Sequence, residues 1–165
     1  MKILLIFAHS HWKDSKVNSK LLQSIKDFDN VTIHNLSDIY NENKISKDNI
    51  KDEIELLKKS DKIIFQFPLY WFSTPSILKE WQDTVLSALL HSDDNKFLEG
   101  KSFQIITTTG GDKSHYDSLE FDINSLLSPI TSSFKHFGLN IEDTLCFYGN
   151  KEDSIDLNEY HKCFK

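Results

Sequence analysis

Residues 62–75 read KIIFQFPLYWFSTP. The first six have the length and the β-branched and aromatic content of a strand buried on both faces. Three consecutive aromatics follow, Tyr70, Trp71 and Phe72, bracketed by Pro68 and Pro75. Thr74 is placed to cap a helix that carries Pro75 at its first position, where a missing N–H does no harm. Ile77, Leu78, Trp81, Val85, Leu86 and Leu89 mark that helix. The stretch is therefore a strand, a stiff aromatic loop and a helix in succession.

The same pattern recurs on either side. Strand-like runs occupy residues 2–7 (KILLIF), 102–108 (SFQIITT) and 144–148 (TLCFY), with a weaker alternating run at 31–36 (VTIHNL). Between them, Val17, Leu21, Leu22 and Ile25 follow helical spacing. So do Ile50, Ile54 and Leu57, with Ser46 or Asp48 as the cap. Residues 121–137 give a fourth helical region interrupted by Pro129, and Asp153 or Ser154 opens a short last helix. Residues 41–49 read as a polar surface loop. Strict alternation predicts an α/β architecture, a three-layer sandwich around a five-stranded parallel sheet. The expected strand order is 2-1-3-4-5, with the ligand crevice at the carboxyl ends of strands 1 and 3.

Composition narrows the function. A chain of 165 residues is expected to form one domain, 1–165. Its net charge is −6 and it contains no Arg, which argues against a nucleic-acid partner and removes guanidinium clamps on phosphate. Cys146 and Cys163 form neither CxxC nor zinc spacing, as expected of reduced thiols in a cytoplasmic protein. The apolar run at 3–8 is too short for a secretory signal and reads as a buried first strand. His9 and His11 lack companion ligands, so no metal is expected.

Three loops fall at the expected crevice. The first, after strand 1, runs into a helix start, where free N–H groups suit a phosphate. Ser15 can cap that helix and also donate; His9 and Asn18 add donors. The second is the aromatic loop, which suits a flat apolar ligand. The third contains Thr108, Thr109, Gly110 and Gly111, where backbone can come close to a ligand. Taken singly, each has a plainer reading: a helix cap, rings folded into the core, an ordinary turn. Together they fit a ligand with a phosphate tail and a flat ring system, and flavin mononucleotide is the natural candidate.

These residues carry a resemblance. The chain resembles the flavodoxin-like NAD(P)H:quinone oxidoreductases, particularly short bacterial members such as the ancillary flavoproteins of glutathione-gated potassium-efflux systems. The motifs are Ala8-His9-Ser10 with Ser15-x-x-Asn18, the run from Phe67 to Phe72 with Pro75-x-x-Leu78-Lys79-x-Trp81, and Thr108-Thr109-Gly110-Gly111 with Tyr116. The resemblance implies that His9, Ser15, Lys16, Val17 and Asn18 hold the flavin phosphate and ribityl chain. It implies that Pro68, Leu69, Tyr70, Trp71, Phe72, Thr108, Thr109, Gly110 and Gly111 hold the ring. It further implies hydride transfer from NAD(P)H through the flavin to a quinone at a homodimer interface. Larger relatives use a Tyr and a His six residues later. Tyr116 matches the first, whereas the second position is Asp122, which leaves His115 as a substitute. Those relatives bind FAD and have a longer C-terminal region; FMN is expected here. The alternatives are a flavin-binding regulatory subunit of a potassium-efflux system, a nitro or azo reductase, and a one-electron flavodoxin.

Overall fold

The computed structural model describes residues 1–40, 44–92, 95–149 and 151–165. The first three positions of the expected 41–49 loop lie outside them. In chain order the elements begin with β1 (Ile3–Phe7), α1 (Lys16–Ile25), β2 (Val31–Asn35), a turn of helix α2 (Leu36–Ile39), α3 (Lys47–Lys59) and β3 (Lys62–Pro68). There follow α4 (Ser76–Trp81), α5 (Ser87–Leu90), β4 (Ser102–Thr108), α6 (Lys113–Asp117) and α7 (Ile123–His136). The chain closes with β5 (Asn140–Ile141), β6 (Leu145–Phe147) and α8 (Leu157–Lys162).

The strands form one parallel sheet in the order β2-β1-β3-β4, and both β5 and β6 pair with β4. Side chains alternate between two apolar layers, as the period-2 pleat requires. Leu4, Ile6, Ile63, Phe65, Phe67, Phe103 and Ile105 face α3, α4, α5 and α7. Ile3, Leu5, Phe7, Ile64 and Ile106 face α1 and α8. The strand order reverses between β1 and β3, so their carboxyl ends diverge into a crevice.

Several boundaries depart from the sequence reading. The fifth strand is split: residues 142–144 leave the ladder between β5 and β6, with the Asp143 carbonyl accepting from Gln104 Nε2 at 2.9 Å. Pro75, with extended backbone, holds the cap position of α4, and Thr74 does not cap it. Pro129 does not interrupt α7. The Ser125 carbonyl, which Pro129 cannot reach as a donor, accepts the Ser128 hydroxyl at 2.7 Å. Ser46 caps α3, so residues 47–49 are helical rather than loop. The last helix is capped by Asp156, whose carboxylate accepts from the Asn158 and Glu159 N–H groups. The helix expected after Thr74 contains a π segment, Gln82–Leu86, between α4 and α5. Ile77, Trp81, Val85 and Leu89 are spaced four apart and would drift around an α-helix; the wider π turn keeps all four buried.

Among the described residues, no helix is long and apolar enough to cross a membrane.

Candidate functional site

The loop after β1 turns through a 3-10 segment, Trp12–Asp14, before α1. Trp12 packs edge-on against Phe7 at 4.9 Å and fixes the loop to the sheet. Ser15 then caps α1, its hydroxyl accepting from the Asn18 N–H at 3.3 Å. That satisfies one donor and leaves the Lys16 and Val17 N–H groups at the open, electropositive helix end.

The loop after β3 is tighter than its composition suggests. Tyr70 and Ser73 exchange backbone hydrogen bonds, closing a two-residue turn over Trp71 and Phe72. Both central residues have positive φ, 47° and 63°. A type I′ geometry of this kind normally selects Asn and Gly. Bulky aromatics there store roughly 1–3 kcal/mol each, and such strain clusters at functional sites. The turn holds Trp71 94% exposed and Phe72 half-exposed.

The loop after β4 is pinned by Thr109. Its N–H donates to the Phe147 carbonyl at 2.9 Å and its hydroxyl to the Gly111 carbonyl at 2.8 Å. A Cβ placed on Gly110 would meet nothing within 4 Å, whereas one on Gly111 would come within 3.2 Å of the Tyr116 ring. Gly110 therefore opens onto free space and Gly111 packs against α6.

The three loops enclose a crevice of about 670 Å³. His9, Ser15, Lys16 and Asn18 line one end of it. Pro68, Leu69 and Tyr70 line it beside Thr108, Thr109 and Gly110, the Leu69 N–H donating to the Thr108 carbonyl at 2.8 Å. The remaining expected residues are placed differently. Val17 is buried in the core beneath α1. Trp71 and Phe72 project from the rim. Gly111, His115 and Tyr116 lie behind the glycine turn, where Tyr116 packs against Phe72 and Tyr148. Sequence reasoning missed His11, Asp14 and Glu152, which also line the crevice. The first two sit in the loop already singled out; Glu152 arrives from the segment after β6 and carries no local signal.

Electrostatics refine the donor set. Burial, reinforced by neighbouring His11, lowers the His9 pKa to about 4, so the ring is neutral at physiological pH. Its Nδ1 accepts from the His11 N–H at 3.0 Å, which leaves the hydrogen on Nε2. His9 is thus a neutral donor, and Lys16 supplies the formal positive charge on the lining. Burial raises the Tyr116 phenol, which stays protonated. Asn18 commits one amide hydrogen to Thr108, and its amide oxygen accepts from Gln66. Among the described residues, no group of three or more potential metal ligands comes together.

A helix N-terminus, the apolar Pro68 and Leu69 with Tyr70, and an unobstructed backbone at Gly110 fit FMN in chemistry. The volume lies in the range of small-molecule sites.

Known proteins point the same way. Residues 1–162 match the family described as flavodoxin-like fold. The chain is 32% identical over 153 residues to general stress protein 14 of Bacillus subtilis, covering 90% of this chain and 86% of that protein. It is 40% identical over 132 residues to the glutathione-regulated potassium-efflux system ancillary protein KefG of an Enterobacter strain, covering 78% and 70%. Among solved structures, an NADPH-quinone reductase from P. pentosaceus superposes with a TM-score of 0.83 at 27% identity, over 100% of this chain and 98% of that one. The chain belongs to the flavodoxin-like fold family.

Proposed function

We propose that this protein is a single-domain, FMN-dependent NAD(P)H:quinone oxidoreductase. The observation that carries the reading is the meeting, in one crevice, of the α1 N-terminus, the Pro68–Leu69–Tyr70 stretch and the open backbone at Gly110. The similarity to a protein named NADPH-quinone reductase supports the electron donor and acceptor class.

Bound FMN supplies a ring that accepts a hydride from NAD(P)H and passes it to a quinone; the protein supplies position and electrostatics. The Lys16 and Val17 N–H groups, Ser15 and the Lys16 ammonium hold the phosphate. Pro68, Leu69 and Tyr70 would pack against the ring, and Thr108, Thr109 and Gly110 would hydrogen-bond its polar atoms. Trp71, 94% exposed, and Phe72 offer apolar surface beside the crevice to a flat acceptor or a second copy of the chain. His115, exposed on α6 beside Gly111 and outside the crevice lining, is the side chain available to hydrogen-bond an acceptor that extends past the turn. Tyr116 is a positioning residue that holds Gly111 and Phe72.

The rim continues into a groove of about 480 Å³ between α4–α5 and α7, where Ser73 and Thr74 meet Leu86, Leu90, Ile130 and Phe137. That groove, whose apolar residues stand among polar Lys79, Gln82, Asp83 and His136, adjoins exposed Trp71 and Phe72 and supports a homodimer with the crevice at its interface. The similarity to KefG supports a compatible second reading, docking on a potassium-efflux protein from the cytoplasmic side.

The test is steady-state turnover. In protein first stripped of flavin, NAD(P)H oxidation should require both added FMN and a quinone. Turnover unaffected by FMN would overturn the assignment.

A further inference from the structure

A buried hydrogen-bond chain connects the last helix to the crevice. Tyr160, on α8, is fully buried between Phe147 and Phe164. Its hydroxyl donates to Gln66 Oε1 at 2.7 Å. Gln66 lies in the middle of the sheet, 0% exposed. Its Nε2 donates to Asn18 Oδ1 at 3.2 Å. Asn18 Nδ2 in turn donates to Thr108 Oγ1 at 3.1 Å. Asn18 and Thr108 line the crevice, whereas Tyr160 and Gln66 do not.

The chain has a direction. A carboxamide accepts at its oxygen and donates at its nitrogen, so fixing one end of Gln66 fixes the orientation of Asn18. In the reverse order Tyr160 would accept from Gln66, and its own hydrogen would face the apolar layer, leaving a buried donor unsatisfied. The observed order avoids this. It ends with Thr108 Oγ1 receiving one hydrogen, so the Thr108 hydrogen is free for an acceptor in the crevice. The far end is rigidly held: Lys62 Nζ donates to the Cys163 carbonyl at 2.9 Å and Asn30 Nδ2 to the Phe164 carbonyl at 3.0 Å.

We propose that Tyr160 and Gln66 are positioning residues that present the Thr108 hydroxyl as a hydrogen-bond donor to the polar edge of the bound ring. This rests on the FMN reading above. Tyr160→Phe keeps the ring packing and removes the anchor. Gln66→Glu places a second acceptor against Asn18, which turns its amide over and makes Thr108 donate inward.

The experiment is FMN titration by fluorescence quenching, with the visible spectrum of the bound flavin and the thermal midpoint of the flavin-free protein measured alongside. Tyr160→Phe and Gln66→Glu should each weaken FMN binding about 3- to 10-fold, the scale of one hydrogen bond. They should also shift the bound-flavin spectrum in the same sense as Thr108→Val. Tyr160→Phe added to Thr108→Val should cost no further affinity, because its effect runs through that hydroxyl. Unchanged affinity and spectrum in Tyr160→Phe, or additive losses in the double variant, would overturn the positioning role while leaving the FMN reading intact. A lowered thermal midpoint with an unmoved spectrum would assign Tyr160 to packing alone. Wild-type protein that binds no FMN would overturn the FMN reading itself.

Discussion

The Tyr70 N–H donates to the Ser73 carbonyl and the Ser73 N–H donates back to Tyr70, both at 2.9 Å. Between them Trp71 and Phe72 are forced into the left-handed region. The turn leaves Trp71 94% exposed and sets Phe72 edge-on to Tyr116. Replacing Trp71 with Asn and Phe72 with Gly, the residues that this turn prefers, should raise stability by about 1 kcal/mol or more. Quinone turnover should fall in the same variant. Urea unfolding and steady-state kinetics check the pair; loss of both stability and activity would remove strain from the account.

Gly110 offers a cleaner separation of fold from function. A side chain there meets no protein atom within 4 Å. Gly110→Val should therefore leave flavin-free stability within about 0.5 kcal/mol of wild type while abolishing FMN retention. Gly149→Ala should do the opposite. That residue has φ +81°, and its Cβ would lie 2.6 Å from Asp112 Oδ1.

His9 makes stability pH-dependent. Its pKa falls from the usual 6.5 to about 4 on folding. The unfolded chain therefore binds the proton first, and stability is fully present above about pH 6.5. It declines as pH drops toward 4, by roughly 3 kcal/mol at most at ~1.4 kcal/mol per pKa unit. His9→Asn should flatten the urea midpoint over that window in flavin-free protein. An unchanged slope would mean that His9 is not buried as a neutral ring.

Glu53 holds together the far side of the molecule. Burial pushes its carboxyl up, but hydrogen bonds from His34, Tyr40 and Trp81 prevail and hold it below the ordinary range. Trp81 Nε1 donates to it at 2.7 Å, His34 Nε2 lies at 2.8 Å, and the Tyr40 hydroxyl also donates. Glu53→Ala strands buried Tyr40 and Trp81 and half-buried His34 and should cost about 3–5 kcal/mol, with FMN affinity unchanged in the protein that remains folded. Differential scanning calorimetry and FMN titration check both halves.

Glu53 also marks where sequence reading stops. Ile50, Ile54 and Leu57 announce a helix face correctly, yet nothing local says that the charged residue between them is buried, because its partners come from β2, the residue that ends α2, and α4. The π segment in the helix after Pro75 is invisible for a related reason: spacing by four reads as ordinary helix until the drift is summed over three turns. By contrast, the runs at β1, β3 and β4 were legible because two-sided burial leaves no polar alternation. The three crevice loops were legible because alternation of strand and helix places the switch point before any side chain is considered. The chain from Tyr160 to Thr108 was not. Its links span 94, 48 and 90 residues and join side chains with no shared periodicity.

The most direct test is the absorbance of the protein after incubation with FMN and desalting, followed by NAD(P)H under nitrogen and then a quinone. Retained flavin absorbance that bleaches with the nicotinamide and returns with the quinone is the expected result. Protein that leaves the column without flavin, or holds flavin that no nicotinamide bleaches, would contradict the assignment of this crevice to quinone reduction.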